Sequence, residues 1–510
     1  MVRLRRGADV GVASGATKFL NTGIPGLDDV LGGGFQERGL LLLFGPPGAG
    51  KTTLVFQMAF HAASAGRRVV YISTLAETAS RLVEHIGTFS FWDAGLIGKR
   101  LFIESIYPLV RQGVAEVARA LIDTVRSHGA QLLVLDGLMT IRDLHPQSAE
   151  HRLFIHEVSV ALAALGCTAV VTTSEVPDMH GSTPSEFTMS DAIVELHQSD
   201  VHQQPARALR VWKNRGAPCA LGSHAVRITA RGLAVYPRIE TRPLPGAVPT
   251  FAERLSSGQP ELDVMMSGGL PRGSVTIVAG APGTGKTLVM LQYLIEGARQ
   301  GQKGLLVGFR EPYPQLAARA RSFGMDLEGP VKEGLITVLR HAPVDLVADE
   351  VLAQVLAEVE RTGAARLGVD GLGELDHMIA VERRRRGVLA SLTEFLRARG
   401  VTALFTREVG QVVGPELDFA GSPLDVLAEN VIFLRYVEFR GALRRILSIL
   451  KMRDTLHDHS IRQYEIGAEG IRVLSQVESA EGLLAAIARL PSERRVKRRG
   501  TAPGRREGKR

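Results

Sequence analysis

Short unbroken apolar runs alternate along this chain with stretches in which apolar residues recur every three or four positions. LLLLF (Leu40–Phe44), RRVVYIST (Arg67–Thr74) and QLLVLDGL (Gln131–Leu138) are such runs in the first half. SVTIVA (Ser274–Ala279), KGLLVGF (Lys303–Phe309) and ARLGVDGL (Ala365–Leu372) answer them in the second. Runs this short and this apolar predict strands covered on both faces. Val114, Val117, Leu121 and Val125 fall on one helical face that ends at Gly129. Val351, Val355, Leu356 and Val359 repeat the pattern before Gly363. Strands alternating with helices predict an α/β fold of mostly parallel sheets flanked by helices.

The two halves also repeat each other residue by residue. GPPGAGKT (Gly45–Thr52) follows the first apolar run and GAPGTGKT (Gly280–Thr287) follows its counterpart, and both fit G-x-x-x-x-G-K-[ST]. In the order strand, glycine loop, helix, that motif wraps phosphates in backbone N–H groups at a helix N-terminus. Gly45, Gly48, Ala49 and Gly50 would form one cradle, and Gly280, Gly283, Thr284 and Gly285 the other. Lys51 and Lys286 would reach the β- and γ-phosphates, Thr52 and Thr287 would hold Mg²⁺, and Thr53 and Leu288 close each segment. The two lysines are 235 residues apart. GIPGLDDVLGGGFQERG (Gly23–Gly39) and GQPELDVMMSGGLPRG (Gly258–Gly273) lead into the loops. Downstream, Asp136 lies 85 residues past Lys51 and Asp370 lies 84 past Lys286. A repeat of this size is a whole domain, and 510 residues accommodate two with their own cores. The expected division is a flexible N-terminus at 1–17, a first domain at 18–240, a Pro- and Gly-rich linker at 241–252, a second domain at 253–475 and a basic, disordered tail at 476–510.

Composition narrows the class. No apolar stretch approaches the roughly 20 residues that a membrane-spanning helix needs. The start, MVRLRRGADVGVASG, has no apolar core and does not read as a secretory signal. Cys167 and Cys219 are the only cysteines, which excludes a disulfide framework and a four-cysteine zinc site and suits a reducing cytoplasm. Much of the net charge of +8 lies in ERRVKRRGTAPGRREGKR (Glu493–Arg510). That tail is read as a solvated segment, with contact to nucleic acid as the alternative. With no helix-turn-helix or zinc-finger signature, nucleic-acid binding is not favoured.

Hydrolysis of ATP requires a metal, an oriented water and positive charge near the transferring phosphate. Asp136 and Asp370 end apolar strands, where a carboxylate faces the nucleotide and would complete the Mg²⁺ shell. Glu77 and Glu311 lie just past a neighbouring strand in each half and would polarise water, or else are solvated loop residues. Late in each half, RVWKNRG carries Lys213 and Arg215, and ILKMRDTLHD carries Lys451 and Arg453. Each K-x-R pair on a strand points one way by period-two alternation. Such cations would serve as finger residues in a neighbour's site, or else are ordinary basic strand residues.

From Lys18 to Ser475 the chain resembles the KaiC family of RecA-superfamily ATPases. The resemblance rests on the paired lead-in segments, the two glycine loops and the closing stretch ENVIFLRYVEFRGALRRILSILKMRD (Glu429–Asp454). It implies two tandem RecA-like P-loop domains, ATP and Mg²⁺ as cofactors, and a homohexameric ring with ATP between subunits. Lys213, Arg215, Lys451 and Arg453 would then reach a neighbour's phosphate. Arg207 and Arg445 match further family positions near the nucleotide, and Thr88 and Phe323 match positions beside the base. Two departures stand out. The family's paired glutamates are reduced to Ala76-Glu77 and Arg310-Glu311, which points to slow hydrolysis; Arg310 could pair with Glu311 or with a phosphate. The clock protein for which the family is named resembles a self-kinase with adjacent Ser and Thr acceptors, but Asp425 and Val426 stand at those positions here, leaving Ser422 as the nearest candidate.

These readings point to a cytoplasmic KaiC-like ATPase acting as a regulatory switch with protein partners, with serine/threonine autokinase activity as a further implication. The alternatives are a DNA-acting recombinase or helicase, and a nucleotide-sensing scaffold with negligible catalysis.

Overall fold

The apolar runs become strands because alternate residues are delivered to opposite faces, and both faces are covered. Leu41 and Leu43 pack into one core with the helix Lys51–Ser64, while Leu40, Leu42 and Phe44 pack into a second core across the sheet. Val69 and Tyr71 against Val70 and Ile72 repeat the division. In the computed structural model the described residues are 18–74, 79–145, 148–174, 184–201, 204–242, 251–342, 346–379, 382–409, 428–439 and 442–474. By contacts the chain divides after Leu244 into two compact units, with Val344–Ala357 and Met378–Leu392 grouped with the first.

The first unit is built on nine strands, β1 (Leu40–Phe44), β2 (Val69–Ser73), β3 (Leu101–Ser105), β4 (Leu132–Asp136), β5 (Thr168–Thr173), β6 (Ala192–Val201), β7 (Gln204–Asn214), β8 (Ser223–Thr229) and β9 (Gly232–Tyr236). Their order across the sheet is β9-β8-β7-β6-β1-β5-β4-β2-β3. The pairings from β6 to β3 are parallel, and β6 to β9 form an antiparallel extension. The second unit repeats this with β10 (Val275–Gly280), β11 (Gly304–Gly308), β12 (Ile336–Arg340), β13 (Arg366–Asp370), β14 (Thr402–Glu408), β15 (Asn430–Phe439), β16 (Ala442–Met452), β17 (Arg462–Gly467) and β18 (Gly470–Val473). Its order, β12-β11-β13-β14-β10-β15-β16-β17-β18, is the same topology. These are the two RecA-like P-loop folds expected from the sequence.

The predicted helices form where their apolar faces require. Val114–His128 buries Val117, Leu121 and Val125 and stops at Gly129, whose φ of +56° costs a glycine no Cβ clash. Ala348–Thr362 ends the same way at Gly363. The repeated lead-in aspartate has a structural use in both units. Asp28 accepts the Thr22 N–H at 3.0 Å and Asp263 accepts the Ser257 N–H at 2.8 Å, each tying a short helix to the strand before it.

Candidate functional site

Each glycine loop joins the C-terminal end of a sheet's central strand to the helix beginning at its lysine. In the first, Gly48 and Gly50 take φ of +78° and +106°; in the second, Gly283 and Gly285 take +76° and +96°. Only glycine adopts these angles freely, and a Cβ at Gly50 would lie 2.6 Å from Ile228 Cδ1. The Lys51 ammonium donates to the carbonyls of Gly45 at 2.6 Å and Pro46 at 3.0 Å, and Lys286 donates to Ala281 at 2.9 Å. Both lysines are drawn in over the loop that phosphates would fill. Burial holds both below the usual lysine pKa, opposed by Asp136 in one half and by Glu408 and Asp370 in the other.

The hydroxyl and carboxylate assigned to the metal meet in both halves. Thr52 Oγ1 donates to Asp136 Oδ2 at 3.0 Å, and Thr287 Oγ1 to Asp370 Oδ2 at 3.0 Å. These are hard oxygen donors at hydrogen-bonding distance, a set that fits Mg²⁺. Sequence reasoning missed what holds the carboxylates. Thr172 donates to Asp136 and also accepts the Gly137 N–H; Thr406 donates to Asp370 at 2.6 Å and accepts the Gly371 N–H at 2.9 Å. The threonine at the same position of TAVVTT and TALFTR was the available signal. Only the first half adds Tyr71, whose buried hydroxyl donates to Asp136 at 2.5 Å.

Around the second loop lies a cavity of about 390 Å³ lined by Gly283, Lys286, Thr287, Leu288, Phe323 and Arg445 among others. Tyr436 donates to the Gly283 carbonyl at 2.8 Å and stacks under the Arg445 guanidinium. Arg445 Nε and, in the first half, Arg207 Nε are buried without a hydrogen-bond partner. A buried guanidinium nitrogen without a partner near a phosphate loop suits an anionic ligand. Thr284 turns its hydroxyl inward to the Ala281 carbonyl at 2.8 Å, so only its backbone remains for a phosphate. Ala49 and Thr53 are buried, and Thr88 is exposed and donates to the His85 carbonyl at 2.9 Å.

Glu311 pairs with Arg319 at 2.6 Å and keeps a second, buried oxygen without a partner. Arg310 does not pair with it; its guanidinium donates to Glu374 at 2.8 Å and reaches Glu408 at 3.5 Å. Glu77 and the loop carrying Ser422, Asp425 and Val426 lie outside the described residues.

Strand register separates the remaining cations into two groups. Arg207 lies opposite Gln198 and Arg445 opposite Tyr436, beyond Glu195 and Leu434, which align with Phe44 and Gly280 at the loop end of the sheets. The K-x-R pairs lie at the other end. The Arg215 N–H bonds the Asp191 carbonyl, and the Asp191 N–H bonds that of Leu40, at the start of β1. Arg453 is level with Val275 through Glu429 in the same way. Lys213 donates to the Ser190 carbonyl at 2.6 Å, Arg215 pairs with Asp191 at 3.0 Å and Lys451 donates to the Ala428 carbonyl at 2.9 Å. From Arg215 or Arg453 to its own loop is five strand residues, about 16 Å, while Lys213 and Lys451, level with Leu42 and Ile277, stand three residues away, about 10 Å.

Among the described residues no helix is long and apolar enough to cross a membrane. The profile of the KaiC ATPase family matches residues 20–240 and 255–478. The circadian clock oscillator protein KaiC of Picosynechococcus sp. is 27% identical over 93% of this chain and 93% of its own length. That of Rippkaea orientalis is 27% identical over 91% of this chain and 90% of its own. The circadian clock protein KaiC3 of Synechocystis sp. is 27% identical over 94% and 96%. Two phosphate loops on two copies of one sheet topology, with a profile matched across both, leave one conclusion: this chain belongs to the KaiC family of P-loop ATPases.

Proposed function

We propose that this ATPase works as a head-to-tail homohexameric ring, with ATP and Mg²⁺ between subunits, and that slow hydrolysis switches its contacts with protein partners. The two halves act as ATPase domains at 18–240 and 253–475. In each, Lys51 or Lys286 and the loop N–H groups bind phosphates, and Arg207 or Arg445 adds charge from the same subunit. Thr52 with Asp136, and Thr287 with Asp370, hold Mg²⁺, which neutralises charge developing on the phosphates. Glu77 and Glu311 orient water.

The observation that carries the reading is the placement of Arg215 and Arg453 about 16 Å from their own loops. An arginine side chain extends about 7 Å from its Cα. Arg215 and Arg453 therefore fit a neighbour's nucleotide rather than their own, and Lys213 and Lys451, which donate to the Ser190 and Ala428 carbonyls at the same end, go with them. In a ring every subunit presents its finger end to the next subunit's loop, so a heterologous interface closes without a leftover site.

The test is light scattering on a sizing column together with phosphate release. Six chains of 55.0 kDa give a particle of about 330 kDa. ATP with Mg²⁺ should produce it, and Lys51→Ala should weaken it. A monomer at saturating ATP would remove the proposed ring. Incubation with γ-labelled ATP also reads self-phosphorylation: label retained on the chain and lost in Ser422→Ala would add the kinase activity, and free phosphate alone would exclude it.

A further inference from the structure

Arg310 stands where the family resemblance leads one to expect a glutamate, and its surroundings are charged to match. Gly308, which ends β11, pairs with Asp370, and Arg310 follows two residues later. Glu374 sits in the first turn of the helix Leu372–Met378, directly after β13. Glu408 ends β14 and pairs with Gly280, the first residue of the phosphate loop. Three chain segments thus bring one guanidinium and two carboxylates together at the loop end of the sheet. Both Arg310 Nε and Nη2 lie 2.8 Å from Glu374 Oε1, and Nη1 lies 3.5 Å from Glu408 Oε2. Lys286 feels the charges of Glu408 and Arg310 as well as Asp370.

The first half serves as an internal control. Its corresponding stretch reads Thr74-Leu75-Ala76, without a cation. Four residues past Asp136 stands Thr140 rather than a glutamate, and two past Thr172 stands Ser174. All three charges are present in one repeat and absent together in the other. They behave as one device that belongs to the second site.

Its strength suits exchange rather than anchoring. The Arg310 side chain is 69% exposed and that of Glu408 is 52% exposed. Ion pairs so exposed hold weakly, because water competes for both partners. A γ-phosphate carries more charge than either carboxylate and offers a planar guanidinium a bidentate acceptor. ADP offers no such group.

We propose that Arg310 is a γ-phosphate-binding residue of the second nucleotide site, drawn off Glu374 and Glu408 by ATP and returned to them with ADP, so that this half distinguishes the two nucleotides. The inference rests on reading Gly280–Thr287 as a nucleotide site. The test uses the full chain carrying Lys51→Ala, so that binding reports the second site, titrated with fluorescent ADP and competed with a non-hydrolysable ATP analogue. Adding Arg310→Ala should weaken the analogue about tenfold or more while moving ADP by less than about threefold. Arg310→Lys should recover part of the loss, because the charge survives but the fork does not. Glu374→Gln with Glu408→Gln should tighten the analogue by releasing the arginine. Equal loss for both nucleotides, or no loss for either, would overturn the proposal and leave the nucleotide site standing. A Lys51→Ala parent that binds neither nucleotide would overturn the site reading, and the proposal with it.

Discussion

The sharpest consequence of the strand register is that two defective chains should repair each other. Lys286→Ala removes the lysine from the second phosphate loop, and Arg453→Ala removes a cation at the far end of the same sheet. Arg453 is level with Val275 and the loop begins at Gly280, which sets them about 16 Å apart along the strand. The side chain spans less than half that distance, so in the proposed ring the phosphate it serves is a neighbour's. Removing a charge-compensating arginine from phosphoryl transfer costs on the order of 10³-fold in rate. Each variant alone should therefore retain only the turnover of its first half. Co-assembled one to one, about a quarter of the junctions pair an intact Lys286 with an intact Arg453 on the adjacent subunit. Phosphate release from the mixture should then exceed the mean of the two separate rates by about a quarter of the wild-type second-half rate. A mixture that matches the mean would refute the reasoning and return Arg453 to an ordinary surface role.

Three further outcomes follow from side chains inside the units. Arg366 is fully buried, donates to the carbonyls of Ser256 at 2.7 Å and Tyr293 at 2.6 Å and lies over the Tyr293 ring; Arg366→Ala should lower stability by about 3 kcal/mol or more, read as a reduced denaturant midpoint. Tyr71→Phe deletes a buried donor to Asp136 and should cost about 1.5–3 kcal/mol in the first unit, read the same way, while Leu306→Met, a volume-conserving change at the matching strand position of the second, should cost less than about 1.5 kcal/mol. Burial pushes the Cys167 thiol up to about 12, so it stays neutral as the pH rises from 7 to 9; a thiol reagent should find one reactive cysteine, Cys219, in the native protein at either pH and two after unfolding.

The sequence by itself determined the strands, the two-fold repeat, the two glycine loops and the aspartate that meets the loop threonine in each half. These are local or periodic properties. A strand covered on both faces must be apolar at successive positions, and a loop that wraps phosphate must place glycine where φ is positive. Phe323 and Arg445 came from resemblance, and the structure places both at the cavity beside the second loop. What the tertiary structure alone decided involves partners far apart in the chain. Arg310 meets Glu374 and Glu408 across 64 and 98 residues, and Tyr71 meets Asp136 across 65. Arg366, at the start of an apolar run, gives no sign in sequence that it is buried with its donors on the Ser256 and Tyr293 carbonyls and the Gln302 side chain. The two groups of cations look alike as text, basic residues six or eight apart on one strand. Only the pairing of that strand with its neighbours shows which end of the sheet each occupies. Which residues will be strand or loop is written in consecutive side chains; which charges will meet is set by strand order and register, which no short stretch of sequence contains.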